Sequence, residues 1–261
     1  MNSTLIIIAR SFYAVALVFF GVQQCVMGKL IAGRPLAWSA QTGGEAIIAY
    51  ASGGLMIITG ILVLLRSQHQ QGLMVVGVLL LACAALPNLV ETVIKGNYGT
   101  LLTNTGKSFT LGSGAFLVLS TFNYGTAQQR TAFLVVLRSS CRYCLGIFLL
   151  ASGIQHFLFA DFVQLLIPVW IPGAAFWVYA SGVFLILSGL LLLIGWRLVI
   201  VGKIISLVIL CWFFVLHLPR AIGEAGNSNE WTAAFEALAF SGLAYLLSEL
   251  RVIGGRQSMV Q

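Results

Sequence analysis

Apolar residues in this chain come in long unbroken runs separated by short polar breaks. Runs of about 20 mostly apolar residues, the length that crosses the hydrocarbon core of a bilayer, fall at 5–26, 46–65, 72–93, 103–122, 139–160, 175–194, 198–217 and 231–250. They lack the strict alternation of a transmembrane strand, so each reads as a helix. The expected fold class is all-α: a polytopic membrane protein with about eight transmembrane helices. The fourth run is the most polar, because Asn104 and Lys107 sit inside it. Met1-Asn-Ser-Thr carries no basic stretch ahead of Leu5-Ile-Ile-Ile, so the first run is expected to be a retained span rather than a cleaved leader.

Composition leads to the same solvent. Hydrophobic residues make up 59% of the 261 and charged residues only 8%, against about 25% charged in a soluble domain. So little charge cannot clothe a water-facing surface, and membrane lipids are the expected surroundings. The net charge of +7 comes from basic residues scattered singly, with no stripe to follow a phosphate backbone, which argues against nucleic acid as a partner.

The basic residues also orient the chain. With an even number of spans both termini share a side, which then collects Arg10, Arg66, Arg130, Arg138, Arg142, Arg197, Lys203, Arg251 and Arg256. The other side holds Lys29, Arg34, Lys95, Lys107 and Arg220, with most of the acids. The richer side is expected to be cytoplasmic, as are both termini and the short tail 254–261.

Internal recurrence organises the chain further. Arg10, Gly21 and Gln23 return 132 residues later as Arg142, Gly153 and Gln155. Tyr50-Ala-Ser-Gly53 returns as Tyr179-Ala-Ser-Gly182, Gly60 as Gly189, Pro87 as Pro219, and Ser113-Gly114 as Ser241-Gly242. The expected domains are two four-helix repeats, 1–126 and 127–261. Four spans each is an even number, so the repeats enter the membrane the same way up, related by an axis along the membrane normal.

The residues that recur are joined in the second repeat by others: Gly153-Ile-Gln-His156, Pro168-Val-Trp-Ile-Pro172, Trp177-Val-Tyr-Ala-Ser-Gly182, His217-Leu-Pro-Arg220 and Glu230-Trp-Thr-Ala-Ala-Phe-Glu236. Over 133–250 the chain resembles the DoxX-like superfamily of small four-helix membrane proteins, and the first half resembles it through its likeness to the second. Members usually carry one four-helix unit, so a tandem pair is a departure. The family includes the membrane subunit of a thiosulfate:quinone oxidoreductase, so the resemblance implies a bacterial inner-membrane setting and quinone as a possible cofactor.

Candidate chemistry concentrates where the halves differ. His156 stands where the first half has Gln24, His217 where it has Ala85, and Arg220 where it has Asn88. Ionisable groups within spans are costly and usually face a bundle interior or water. His156, His217, Arg220 and Glu236 are therefore expected to line one ligand pocket near the outer membrane surface, with Arg220 beside Glu236. Cys141-Arg-Tyr-Cys144 has a spacing compatible with redox work, next to Arg138 and Arg142. Interfacial cysteines of apolar helices are commonly inert. The three histidines sit on separate helices or loops without ligand spacing, so no metal is expected. Arg10 and Arg142 are expected to share a structural job at helix ends, and Gly53 and Gly182 to permit close helix approach.

No nucleotide-binding loop, haem signature or nucleophile–base–acid set is present, so a self-sufficient enzyme is not expected. Three functions stay open: a quinone- or lipid-contacting accessory subunit serving a redox or envelope partner, a small-solute or lipid transporter, and a structural membrane chaperone.

Overall fold

The computed structural model describes residues 3–36, 44–67, 71–122 and 127–249, and the described residues form helices and short connections with no strand. The tail 254–261, with Arg251 and Arg256, lies outside the described residues, as do the side chains of Arg130 and Arg138. The N-terminal half comprises α1 (Ser3–Met27), α2 (Gly44–Leu64), α3 (Gln71–Leu80), a π turn (Leu81–Ala85), α4 (Leu86–Lys95) and α5 (Thr100–Leu119). The C-terminal half comprises α6 (Ala127–Leu158), α7 (Ala160–Leu165), α8 (Ala174–Ile194), α9 (Leu198–Trp212), a second π turn (Phe213–His217), α10 (Leu218–Gly223) and α11 (Ser228–Glu249).

Among the described residues, six helices are long and apolar enough to cross a membrane: α1, α2, α3 through α4, the C-terminal part of α6, α8, and α9 through α10. Their outward faces carry Ile47, Leu187, Leu207 and Phe214, each more than half exposed, which suits lipid contact. Two other helices of similar length, α5 and α11, fall short of that apolarity. Burial explains why. In α11, 15 of 22 residues are buried and in α5, 11 of 20, against 6 of 21 in α8. A helix that meets protein on most sides can be polar where a helix in lipid cannot.

Packing crosses between the halves. α1 lies along α2 and also along α11; α6 lies along α8 and also along α5. α5 and α11 touch each other at the centre, with α3 and α9 packed on their far sides. The α1–α2 and α6–α8 contacts are backbone-close. A Cβ on Gly53 would meet the carbonyl oxygen of Gly21 at 2.8 Å, and one on Gly153 would meet that of Gly182 at 2.7 Å. Only missing side chains allow such approach.

The sequence pattern treats 72–93 and 198–217 as plain spans, but both are broken by a π turn ahead of a proline. Pro87 and Pro219 have no N–H, and their rings crowd the preceding turn. The chain answers by widening one turn: the N–H of Leu86 reaches Leu81 O and that of Leu218 reaches Phe213 O, five residues back. The connection after α6 also contains α7, a short helix that the apolar runs did not reveal.

Candidate functional site

One carboxylate anchors the polar centre. Glu236 lies one turn after Thr232 in α11 and is only 1% exposed. Arg34, from the segment after α1, donates from Nε to its Oε1 at 2.9 Å; Lys107 of α5 donates to its Oε2 at 2.8 Å. Glu236 therefore pairs with Arg34 and Lys107, not with Arg220. The guanidinium of Arg220 turns to Glu230, 2.6 Å away at the start of α11. The reason is reach: Arg220 and Glu230 flank the same short connection, whereas Arg34 and Lys107 already occupy the two oxygens of Glu236.

His217 closes the second π turn, and its charged neighbours are Lys107, Arg220, Glu236 and Arg34. Its Nδ1 is buried and has no hydrogen-bond partner among the described residues. His156 behaves differently. Its Nδ1 lies 2.7 Å from the Ser152 carbonyl of its own helix, which leaves Nε2 of a neutral ring as an acceptor. The structure thus brings His217 and Glu236 into one cluster, puts Arg220 at its edge in a separate ion pair, and ties His156 to α6.

In the N-terminal half the matching positions are used up by the chain itself. Gln24 accepts from the backbone N–H groups of Ile31 and Ala32 at 3.1 and 3.0 Å and donates to Ser52 Oγ at 3.0 Å. Asn88 donates to Arg34 O at 3.0 Å, and Ser108 donates to Gly33 O. Gly33 has a φ of 74°, a left-handed conformation that lets the segment turn inward. A cavity of about 30 Å³ remains beside Gln24 and Ser52, room for about one water.

Two glutamines clamp the halves together. Gln23 of α1 donates to Ser228 O and accepts from Thr232 Oγ1; Gln155 of α6 donates to Gly99 O and accepts from Thr103 Oγ1. Lys107 and Glu236 each stand four residues beyond the clamped threonine, so the paired charges occupy matching places on α5 and α11.

The remaining candidates lie toward the other end of the helices. Arg10 donates to Thr121 O and rests its guanidinium 4.3 Å from the Phe122 ring centroid; Arg142 stacks 4.5 Å from that of Tyr143. Cys141 is buried and Cys144 partly so, both free thiols facing Ser113 of α5. Among the described residues no three His, Cys, Asp or Glu side chains gather as a metal site would require.

Sequence reasoning missed Arg34, Lys107, Gln24 and Asn88 as members of the polar centre. Lys107 carried a usable signal: a cation deep in a span demands a carboxylate at its own depth, and Glu236 has that depth. Arg34 carried none, because it sits in a loop whose path no periodicity describes.

Buried helices with an ion-paired centre and a lipid-facing apolar exterior define a multi-pass helical membrane protein. The family model described as DoxX matches residues 137–218, from within α6 through the second π turn to the first residue of α10, consistent with a DoxX-like membrane protein. No curated protein and no solved structure matches the chain.

Proposed function

We propose that this chain is a membrane accessory subunit that holds the headgroup of a quinone or lipid at the Glu236 end of its bundle and supports a partner's redox or envelope chemistry. The observation that carries the reading is the charge count of the centre. Two partly buried cations, Arg34 and Lys107, share one buried carboxylate, with the bare Nδ1 of His217 beside them. Such a centre has one positive charge in excess, and desolvated cations favour an electron-rich oxygen. A quinone carbonyl or an acidic headgroup supplies one.

The same reading takes the halves as tandem four-helix repeats, with α5 and α11 as the fourth and eighth spans. The matched π turns, glycine contacts and glutamine clamps support it. It places both termini in the cytoplasm of a bacterial inner-membrane protein, since nine of the fourteen basic residues fall on that side. The centre then opens toward the outer leaflet.

Purification in mild detergent followed by mass spectrometry of bound molecules is the test. The expected result is a quinone or one lipid class enriched over its share of the membrane, and lost from Lys107→Ala with His217→Ala. Lipid in bulk proportions, unchanged by the substitutions, would sink the reading. Solute flux into proteoliposomes, with nothing retained, would instead make the protein a transporter.

A further inference from the structure

The two halves treat one slot in opposite ways, and the contrast identifies where a headgroup sits. In the N-terminal half the slot lies between α1, α2 and the π turn ahead of α4. Gln24 and Ser52 line it, Asn88 holds the segment that fills it, Ala85 stands one turn before Asn88, and all four are at most 9% exposed. They are buried because the segment 28–34 folds back onto them. Its N–H groups bond Gln24, and its carbonyls bond Asn88 and Ser108. The chain is its own occupant there.

The same walls recur in the C-terminal half. α6 and α8 meet through Gly153 and Gly182 as α1 and α2 meet through Gly21 and Gly53, and each π turn ends two residues before its proline. This puts His156 at the place of Gln24, Ser181 at that of Ser52, and His217 at that of Ala85. The following connection does not fold back. α7 and the turn after it run outward, with Leu165 at 82% and Val169 at 103% exposure. His156, Ser181 and His217 are accordingly only partly buried. Among the described residues no group bonds His217 Nδ1.

We infer that the face formed by His156, Ser181 and His217, between α6, α8 and the second π turn, binds the headgroup of an amphiphile that does what segment 28–34 does in the other half. That segment offers both acceptors and donors. A matching headgroup carries a carbonyl or hydroxyl oxygen for His217 and a hydroxyl for the Nε2 acceptor of His156, with an apolar tail along the exposed flank of α8. Quinone/quinol rings and polyol phospholipid heads share that chemistry. This inference rests on the proposed headgroup function and on the repeat reading, and it adds one consequence: binding at one site per chain, never two.

The test uses the full chain in detergent and in nanodiscs, with decyl-hydroquinone and phosphatidylglycerol as separate probes. Binding of the quinol, followed by titration calorimetry, is expected to saturate at one per chain, and His217→Ala to weaken it at least tenfold. His156→Gln, which installs the residue the first half uses, is expected to fold and to bind several-fold more weakly. Ala85→Ser, inside the filled slot, is expected to change binding less than twofold. Saturable binding of phosphatidylglycerol alone, with the same dependence on His217, supports the site and names lipid as the source. Two bound probes per chain, or binding indifferent to both histidines, overturns the inference while leaving copurified ligand to uphold the broader function. Failure of both probes with every variant, together with no copurified ligand, overturns both.

Discussion

At the N-terminal slot Gln24 makes three hydrogen bonds within its own chain, whereas at the C-terminal slot His156 bonds only its own helix and His217 Nδ1 bonds nothing among the described residues. The helices around them are alike, down to the glycine contacts and the π turns. What differs is the connection after the first helix of each half: one turns in at Gly33, the other runs out through α7. The contrast teaches that where two sets of helices meet in the same way, the connection between them can still set the surroundings of a polar slot. A loop that folds back converts a polar slot into packing.

Lys107 and Glu236 extend the lesson. They hold matching places, and identical residues there would face their own charge; opposite charges bond instead. Removing the carboxylate should have the largest effect of any single change. Glu236→Gln leaves the partly buried Arg34 and Lys107 without an anion; breaking a fully buried pair costs about 3–5 kcal/mol, and the cost here should approach the lower end of that range. Unfolding in detergent should register that loss, and the exchange Lys107→Glu with Glu236→Lys should recover only part of it, because it sets a second cation beside Arg34. A double variant no more stable than the single ones would mean the pair does not hold the halves together.

Next in size is the filled slot. Gln24→Ala strands the N–H groups of Ile31 and Ala32, and each buried unsatisfied group costs about 1–3 kcal/mol. Hydrogen exchange at 31–34 should speed up markedly. His156→Ala, which loses one bond within its own helix, should cost less than about 1 kcal/mol. Equal effects would erase the distinction between the slots.

The glycine contacts sharpen the comparison at a smaller scale. Gly53→Ala drives a methyl onto the Gly21 carbonyl and the Cys25 sulfur at 2.8 Å, whereas Gly182→Ala meets the Phe157 ring edge at 2.8 Å. Overpacking costs about 1–3 kcal/mol. The first substitution should lie at the upper end because a backbone carbonyl cannot rotate away, and paired thermal melts would show the order. Smallest are the clamps: Gln23→Ala and Gln155→Ala should each cost about 1 kcal/mol and, bonding the same way, should differ little from each other. A large inequality would mean that one of α5 and α11 depends on its clamp and the other does not.

Much of this architecture was legible in the linear chain. Helices and membrane embedding follow from contiguous apolar residues, because the free energy of burial in lipid sums along a segment and needs no partner to be named. Recurring Gly53 and Gly182 marked close packing for the same local reason: a missing side chain shows wherever it stands. The π turns were half visible, since Pro87 and Pro219 announce a lost donor without saying how the helix absorbs it. The partners of the charges were not legible. Arg34 reaches Glu236 across 202 residues and Lys107 across 129, and such pairs are chosen by which helices cross and how a loop returns. Sequence alone determined that these charges were few, costly and in need of company; only the tertiary structure decided which of them met, because Coulomb attraction in a low-dielectric interior depends on distance in space and not along the chain.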